Sequence, residues 1–106
     1  MKTQRHKFHA VRCESDGKKF PSLLEKRYYE QLKLRQKAGE VVFFLRQVPF
    51  DLPGMKYVTD FQIFLADGTV EFVDTKGKDT PMSKAKRKAV EELYPIKIKI
   101  VTKVSS

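Results

Sequence analysis

Three β-rich runs follow one another in the middle of the chain, and only short turn signals separate them. The runs cover residues 41–52, 55–65 and 69–76, with Pro53-Gly54 and Asp67-Gly68 between them. Connections this short join antiparallel neighbours, because a crossover to a parallel strand needs a dozen or more residues. The sequence therefore predicts three antiparallel strands in succession, and Pro49 in the first run indicates an edge position, a bulge or a strand end.

A first helix is predicted before these strands. Ser22 is a suitable N-cap residue, Glu25 three positions later completes a capping-box pattern, and Gly39 suits the position after the helix end. The apolar face expected to pack on the sheet comprises Phe20, Leu24, Tyr28, Leu32 and Leu34. Glu25 lies on the shoulder of that face. Its carboxylate therefore either caps the helix or is partly buried at a functional position.

A second helix and a fourth strand are predicted after the sheet runs. Pro81 suits a first-turn position and Tyr94-Pro95 marks the helix end, with an apolar stripe of Met82, Ala85, Ala89 and Leu93. Residues 96–101 then alternate between apolar side chains and lysine, which is typical of an edge strand. The helix makes a crossover that favours a parallel pairing of the third and fourth strands. The expected fold class is α/β (α+β), with a mixed central sheet flanked by helices.

Length and charge limit the kind of protein this can be. A chain of 106 residues is expected to form one domain, residues 1–106, and 22 Lys+Arg against 13 Asp+Glu give a net charge of +9. This excess indicates a polyanionic partner, above all nucleic acid, rather than a membrane surface. Cys13 is the single cysteine, which excludes an intramolecular disulfide and indicates a reducing, cytoplasmic location.

Residues 1–19 are polar and basic and are predicted to form a loosely ordered arm with a turn at Asp16-Gly17. His6 and His9 lie three positions apart, but no third ligand is near them in the sequence. No metal site is assigned to the arm. The arm lacks the apolar segment of a signal sequence, and no run in the chain is long enough to span a bilayer.

Asp60 lies in the second strand and Asp74 near the end of the third, and the loop between the strands decides whether the two aspartates meet. A two-residue loop of Asp67-Gly68 sets Asp60 opposite Thr75, on the other face from Asp74. A three-residue loop, 66–68, with Gly68 in a left-handed conformation sets Asp60 opposite Asp74. Both loops fit the sequence.

In the second register the two carboxylates would repel each other, and a divalent cation between them would remove that cost. Hard oxygen ligands without a His or Cys cluster suit Mg²⁺ or Mn²⁺. The structural alternative is a pair of strand-end charges that face solvent. Glu71 points to the opposite strand face from Asp74 and Lys76, and is excluded from the cluster by this parity.

The pattern resembles the PD-(D/E)xK nuclease superfamily. Asp60 in Val58-Thr59-Asp60 is similar to the first aspartate of the motif, with Thr59 at the position of the proline, and Asp74-Thr75-Lys76 matches the (D/E)xK element. Glu25 is similar to the helix glutamate that many members add. The order α, three strands, α, strand resembles the restriction-endonuclease-like αβββαβ core. In its small size and in the run 20–25, the chain is most similar to phage-type enzymes related to Holliday junction resolvases.

The resemblance implies a Mg²⁺- or Mn²⁺-dependent DNA endonuclease. It makes Glu25, Asp60, Asp74 and Lys76 the catalytic set, and Glu25, Asp60, Asp74 and the Thr75 carbonyl the metal ligands. Nearby basic residues are expected to contact DNA phosphates: Lys78, Lys84, Lys86, Arg87 and Lys88. The implied substrate is branched DNA such as a Holliday junction, cut by a two-fold homodimer, in the host cytoplasm if a phage encodes the protein.

Two alternatives stay open from the sequence. The same chemistry could act on linear, single-stranded or flap DNA. The chain could instead be a non-catalytic nucleic-acid-binding module. That alternative explains the net positive charge, but it leaves the arrangement of Glu25, Asp60, Asp74 and Lys76 as a coincidence.

Overall fold

The computed structural model describes residues 13–104, which form six strands and two helices. Their order is β1 (Cys13–Ser15), β2 (Lys18–Phe20), α1 (Leu23–Lys37), β3 (Val41–Leu52), β4 (Met55–Leu65), β5 (Val70–Thr75), α2 (Pro81–Leu93) and β6 (Ile98–Val101). The helices and main strands lie where the sequence predicts them, with ends that differ by one or two residues.

Strands β3 to β6 form one mixed sheet in the order β3-β4-β5-β6. The first two pairings are antiparallel, and β6 runs parallel to β5 after the crossover through α2. The fold is therefore α+β with an αβββαβ core, as the sequence predicts. Strand β3, which contains Pro49, and strand β6 with its lysines are the two edges, where a missing backbone donor and exposed charges are tolerated.

The segment before α1 differs from the prediction. Strands β1 and β2 pair in a hairpin, and both Asp16 and Gly17 have positive φ angles, 53° and 75°, as a tight hairpin turn requires. The expectation of loose order is therefore wrong for residues 13–19. The hairpin is held to the sheet by Arg46, whose guanidinium lies 4.0 Å from the centre of the Phe20 ring. Residues 1–12, with His6 and His9, lie outside the described part.

Helix α1 has the predicted caps and most of the predicted apolar face, since Phe20, Tyr28 and Leu32 are buried. The Ser22 hydroxyl accepts the Glu25 N–H over 3.0 Å, and Gly39 after the helix has a φ of 87°. Tyr29 is also buried, whereas Leu34 is 67% exposed, so the predicted core position of Leu34 is wrong. A position two residues after Leu32 lies on nearly the opposite side of a helix, while Tyr29 is one turn before it.

Helix α2 begins with Pro81 in the first turn, as predicted, and Thr80 is its N-cap. Its expected apolar stripe is wrong at both ends, because Met82 and Leu93 are 67% and 57% exposed, whereas Ala89 packs in the core beside the buried Val90. The face that packs on the sheet is one residue further along than the stripe. Period alone could not distinguish the two faces, because both are spaced like one side of a helix.

The apolar core has two clusters, and β4 contributes to both. Phe61 and Ile63 lie in the larger cluster, under α1, whereas Tyr57 lies in the smaller cluster with Val90 of α2. Tyr57 and Phe61 have the same parity, so the twist of β4 turns its two ends towards different helices. Asp60 stands between these ends. Within residues 13–104, neither helix is long and apolar enough to cross a membrane.

Candidate functional site

The loop between β4 and β5 has the three-residue form. The Leu65 N–H donates to the Thr69 carbonyl over 2.9 Å, which leaves residues 66–68 as the loop. Gly68 has a φ of 92°, a conformation that glycine adopts without the strain a side chain would cause. Of the two loops compatible with the sequence, this is the one that aligns the two aspartates.

Asp60 and Asp74 face each other at the point where the β4–β5 ladder stops. The last paired residues are Phe61 and Val73. Beyond them, the Asp60 N–H donates to Asp74 Oδ1 over 2.8 Å, and Asp60 Oδ2 accepts from the Thr75 N–H at 2.8 Å and its hydroxyl at 2.9 Å. Each carboxylate thus replaces a backbone acceptor on the neighbouring strand, and the backbone donors remain satisfied where the strands part.

Asp74 is the more enclosed of the two aspartates, at 1% exposure. The interpretation of the pair as strand-end charges facing solvent is therefore wrong. The Tyr57 hydroxyl donates to Asp74 Oδ2. Burial and the Asp74 carboxylate raise the pKa of Tyr57, against a smaller opposite effect of Arg87 from α2, so the phenol stays protonated and remains a donor.

Asp60 is partly buried and more open than Asp74. Burial raises the pKa of Asp60 above its usual value, and the charge of Asp74 raises it further. The hydrogen bonds from Thr75 and the positive charge of Lys76 lower it. The positive charge of Lys76 is therefore close enough to Asp60 to act on its carboxylate. Glu71, excluded by parity, instead lies near Lys99, with 3.4 Å between Oε2 and Nζ.

Glu25 enters the site from the first turn of α1. The residue is 2% exposed, and its Oε2 accepts from Gln47 Nε2 over 2.9 Å and lies 3.6 Å from Arg46 Nη2. Burial and then the charge of Asp60 raise the pKa of Glu25 from 4.5 to about 7. The helix is capped by the Ser22 hydroxyl, and the Glu25 carboxylate points into the site.

Sequence reasoning missed two residues of the site, Gln47 and Tyr57. Gln47 Nε2 lies 2.9 Å from Glu25 Oε2 and 3.5 Å from Asp60 Oδ1, so its amide joins two carboxylates from different elements. A signal for Gln47 existed, because the two-residue turn at Pro53-Gly54 fixes the β3–β4 register and sets residue 47 across from Asp60. The contact of Tyr57 with Asp74 depends on strand twist, which the sequence does not specify.

The oxygen donors of the site suit a hard cation in their chemistry. Two of the three carboxylates, Glu25 and Asp60, have pKa values raised by burial and by neighbouring negative charge, a cost that a bound cation would remove. Among residues 13–104 no three His, Cys, Asp or Glu side chains are arranged as a ready ligand group. The Gln47 amide separates Glu25 from Asp60, so ligation by both requires this side chain to move.

The basic residues expected to contact DNA differ in their surroundings. Lys78, Lys84 and Lys88 are exposed, and Lys86 is partly buried. The guanidinium of Arg87 donates to both Asp79 oxygens, over 3.1 Å and 2.8 Å.

This bidentate pair satisfies part of the Arg87 fork and lowers the pKa of Asp79. Lys84 and Lys88 line a groove with Glu91 and Glu92, which weaken its positive potential. A phosphate path along this helix would therefore depend on the lysines more than on Arg87.

A family model matches residues 5–105, nearly the whole chain, and is described as a protein of unknown function, DUF1064. The chain belongs to the DUF1064 family. Searches of curated proteins and of solved structures found no match. The DUF1064 description assigns no activity to the family.

Proposed function

We propose that the protein is a metal-dependent DNA endonuclease that hydrolyses phosphodiester bonds. The observation that carries this proposal is the meeting of Asp60 and Asp74 across the open end of β4 and β5, with buried Glu25 beside Asp60. The positive charge of Lys76 acts on Asp60, whose pKa it lowers. Paired strand carboxylates, a helix glutamate and a lysine two residues after the second aspartate are the groups that the resembled superfamily uses.

The proposed cofactor is Mg²⁺ or Mn²⁺, held by Glu25, Asp60, Asp74 and the Thr75 carbonyl. When bound, such a cation lowers the pKa of a coordinated water and neutralises charge on the phosphate. The chain supplies the orientation of the ligands, since Asp74 is fixed by the Tyr57 hydroxyl and by the Asp60 N–H. Lys76 holds the scissile phosphate as a point positive charge or assists removal of the water proton.

The net charge of +9 supports DNA as the substrate. The proposed phosphate contacts are Lys78, Lys84, Lys86, Arg87 and Lys88, with Arg87 already engaged by Asp79. The proposed substrate structure is a four-way or similarly branched DNA, and a two-fold homodimer would present one site to each of two strands. The proposed location is the cytoplasm.

The first experiment asks whether the purified protein cuts DNA. Wild type is incubated with a labelled duplex and a labelled four-way junction, in Mg²⁺, in Mn²⁺ and in excess chelator. We expect cleavage with either cation and none with chelator. Lys76→Ala should reduce cleavage by roughly 10²-fold or more while DNA binding persists, because the lost charge acts mainly on the reacting phosphate.

The matched control is Lys103→Ala, which removes an exposed lysine beyond β6. It should cut at the wild-type rate. If wild type binds DNA but cuts neither substrate with either cation, the nuclease proposal is wrong and a non-catalytic binding module is the better explanation.

The same two substrates test the preference for branched DNA. We expect faster cleavage of the junction than of a linear duplex with the same sequence. Equal rates would contradict the junction preference but leave the endonuclease proposal intact, and the linear or flap alternative would then be favoured. Sedimentation of the protein with and without the junction measures whether a dimer is the active form.

A further inference from the structure

Gln47 has an unusual backbone for a residue inside a strand. Its φ is 55°, and the other non-glycine residue with a positive φ among residues 13–104, Asp16, is in the β1–β2 turn. Gln47 lies between the β3–β4 pairs Arg46–Phe61 and Val48–Thr59, which places it across from Asp60. A left-handed glutamine in a strand costs free energy, and such outliers persist where the surrounding structure or a function requires them.

The strained backbone directs the Gln47 side chain between two acidic groups. Its Nε2 donates to Glu25 Oε2 over 2.9 Å and lies 3.5 Å from Asp60 Oδ1. Only a donor is stable between two carboxylates, so the amide presents its nitrogen there. Each carboxylate also has a basic residue near it, since Arg46 Nη2 lies 3.6 Å from Glu25 Oε2 and the charge of Lys76 lowers the pKa of Asp60. Gln47 therefore lies between the two carboxylates that a cation would join.

We propose that Gln47 is a direct ligand in the cation site, and that its carboxamide turns to present Oε1 in place of Nε2 when the cation binds. This inference rests on the proposed function, because it assumes that Glu25 and Asp60 hold a cation. In the cation-free protein the amide nitrogen faces the two carboxylates at the position where the cation would bind. In the loaded protein the amide oxygen adds a neutral hard ligand to the carboxylates.

A carboxamide is the side chain that fits both states. Its nitrogen carries two hydrogen-bond donors, and its oxygen is an acceptor. Rotation about the terminal side-chain bond exchanges the two atoms, and this rotation has a low barrier and two broad minima. A lysine or arginine at this position would be a permanent counter-ion and would compete with the metal. A glutamate would bind the cation but would repel Glu25 and Asp60 without it. Gln47 is solvent-exposed, so the exchange needs no opening of the core.

The test measures Mn²⁺ binding without DNA, by titration with detection of free Mn²⁺ by electron paramagnetic resonance. Gln47→Ala and Gln47→Asn are compared with wild type. We expect both to bind Mn²⁺ about tenfold more weakly, or worse, as for other losses of ligand support. Asparagine tolerates the left-handed backbone and keeps an amide, but it is one methylene shorter, so it separates loss of reach from loss of fold. Gln47→Glu should bind at least as tightly as wild type.

Gln62→Ala is the matched control, because Gln62 is a partly buried glutamine of the same sheet that pairs with Leu45 and Phe72. It should bind Mn²⁺ like wild type.

The inference is overturned if wild type binds Mn²⁺ and Gln47→Ala and Gln47→Asn bind it as tightly or more tightly. That result would make Gln47 a competitor that the cation displaces. If wild type binds no Mn²⁺, the metal-dependent function and this inference both fail. The behaviour of wild type therefore distinguishes failure of the proposed function from failure of the Gln47 inference alone.

Discussion

The two ends of the β4–β5 hairpin are built by different means. At the turn end, Leu65, Thr69 and Gly68 close a short loop through their own backbone. At the open end the ladder stops after Phe61 and Val73, and the side chains of Asp60 and Asp74 accept the backbone donors of the opposite strand. A local turn thus fixes the register, and the register then places charged side chains where the strands part.

This difference separates carboxylates that organise the chain from carboxylates that could bind a ligand. Asp67, in the loop, accepts the N–H and hydroxyl of Thr69 two residues away and has a lowered pKa for that reason. Asp60 and Glu25, at the open end, have raised pKa values because burial and mutual repulsion act against their charges. Carboxyl pKa values raised in this way are typical of functional sites, whereas a turn does not require them.

The largest expected effect comes from removing charge at the open end. Asp74→Asn should lower the rate of DNA cleavage by about 10²–10³-fold, by analogy with the loss of other electrostatic groups in active sites. The fold should survive, because the asparagine oxygen can still accept the Asp60 N–H. Asp67→Asn makes the same chemical change at the turn end and should leave the rate unchanged. Comparable losses in both variants would show that the two ends do not differ in function.

Glu25 gives the next largest effect, on stability rather than on rate. Its pKa is raised from 4.5 to about 7, so the folded protein holds a proton that the unfolded chain releases between these values. The stability contributed by this proton is present below pH 4.5 and is lost as the pH rises through 7. Glu25→Gln cannot ionise, so above pH 7 it should be more stable than wild type by roughly 1 to 3 kcal/mol.

Chemical denaturation in chelator, near pH 4.5 and near pH 8, measures this difference. The advantage of Glu25→Gln should nearly vanish at the lower pH. Glu92→Gln, at an exposed position of α2, is the control and should show little change at either pH. An advantage for Glu25→Gln that is the same at both pH values would mean that Glu25 titrates normally in the folded protein.

A smaller effect is expected at the turn end. Gly68→Ala should cost about 1 to 2 kcal/mol of stability, because an alanine is strained at a φ of 92°. A Cβ at Gly68 would meet no atom within 4 Å, so the cost comes from the backbone alone. Gly77→Ala is the matched control, with equal space and no positive φ. Thermal or denaturant unfolding measures both, and equal stabilities would contradict the role given to Gly68.

The same contrast explains how much the sequence could predict. Ser22, Gly39 and Gly68 act on neighbours within a few residues, and the helix caps and one of the two proposed loops follow from them. The site is harder, because the contacts of Gln47 and Tyr57 join residues 13 to 22 positions apart and depend on strand twist. Strand parity correctly excluded Glu71 from the carboxylate cluster. It could not predict the position of Tyr57, because that end of β4 turns towards α2.

The smallest expected effect concerns Tyr57, which supports the open end from the second core cluster. Tyr57→Phe removes one donor from the buried Asp74 and should cost about 1 kcal/mol of stability, the net value of a typical hydrogen bond. It should also weaken Mn²⁺ binding by about tenfold, because Asp74 loses a group that orients it. The comparison is Tyr94→Phe, which removes a hydroxyl that donates to the Asp51 carbonyl over 2.8 Å, outside the site. Denaturant unfolding should show a smaller loss of stability for Tyr94→Phe, because its hydrogen bond is exposed, and Mn²⁺ titration should show weaker binding for Tyr57→Phe alone. If both bind Mn²⁺ like wild type, the Tyr57 hydroxyl serves the fold alone, and the positioning of Asp74 depends on the Asp60 N–H.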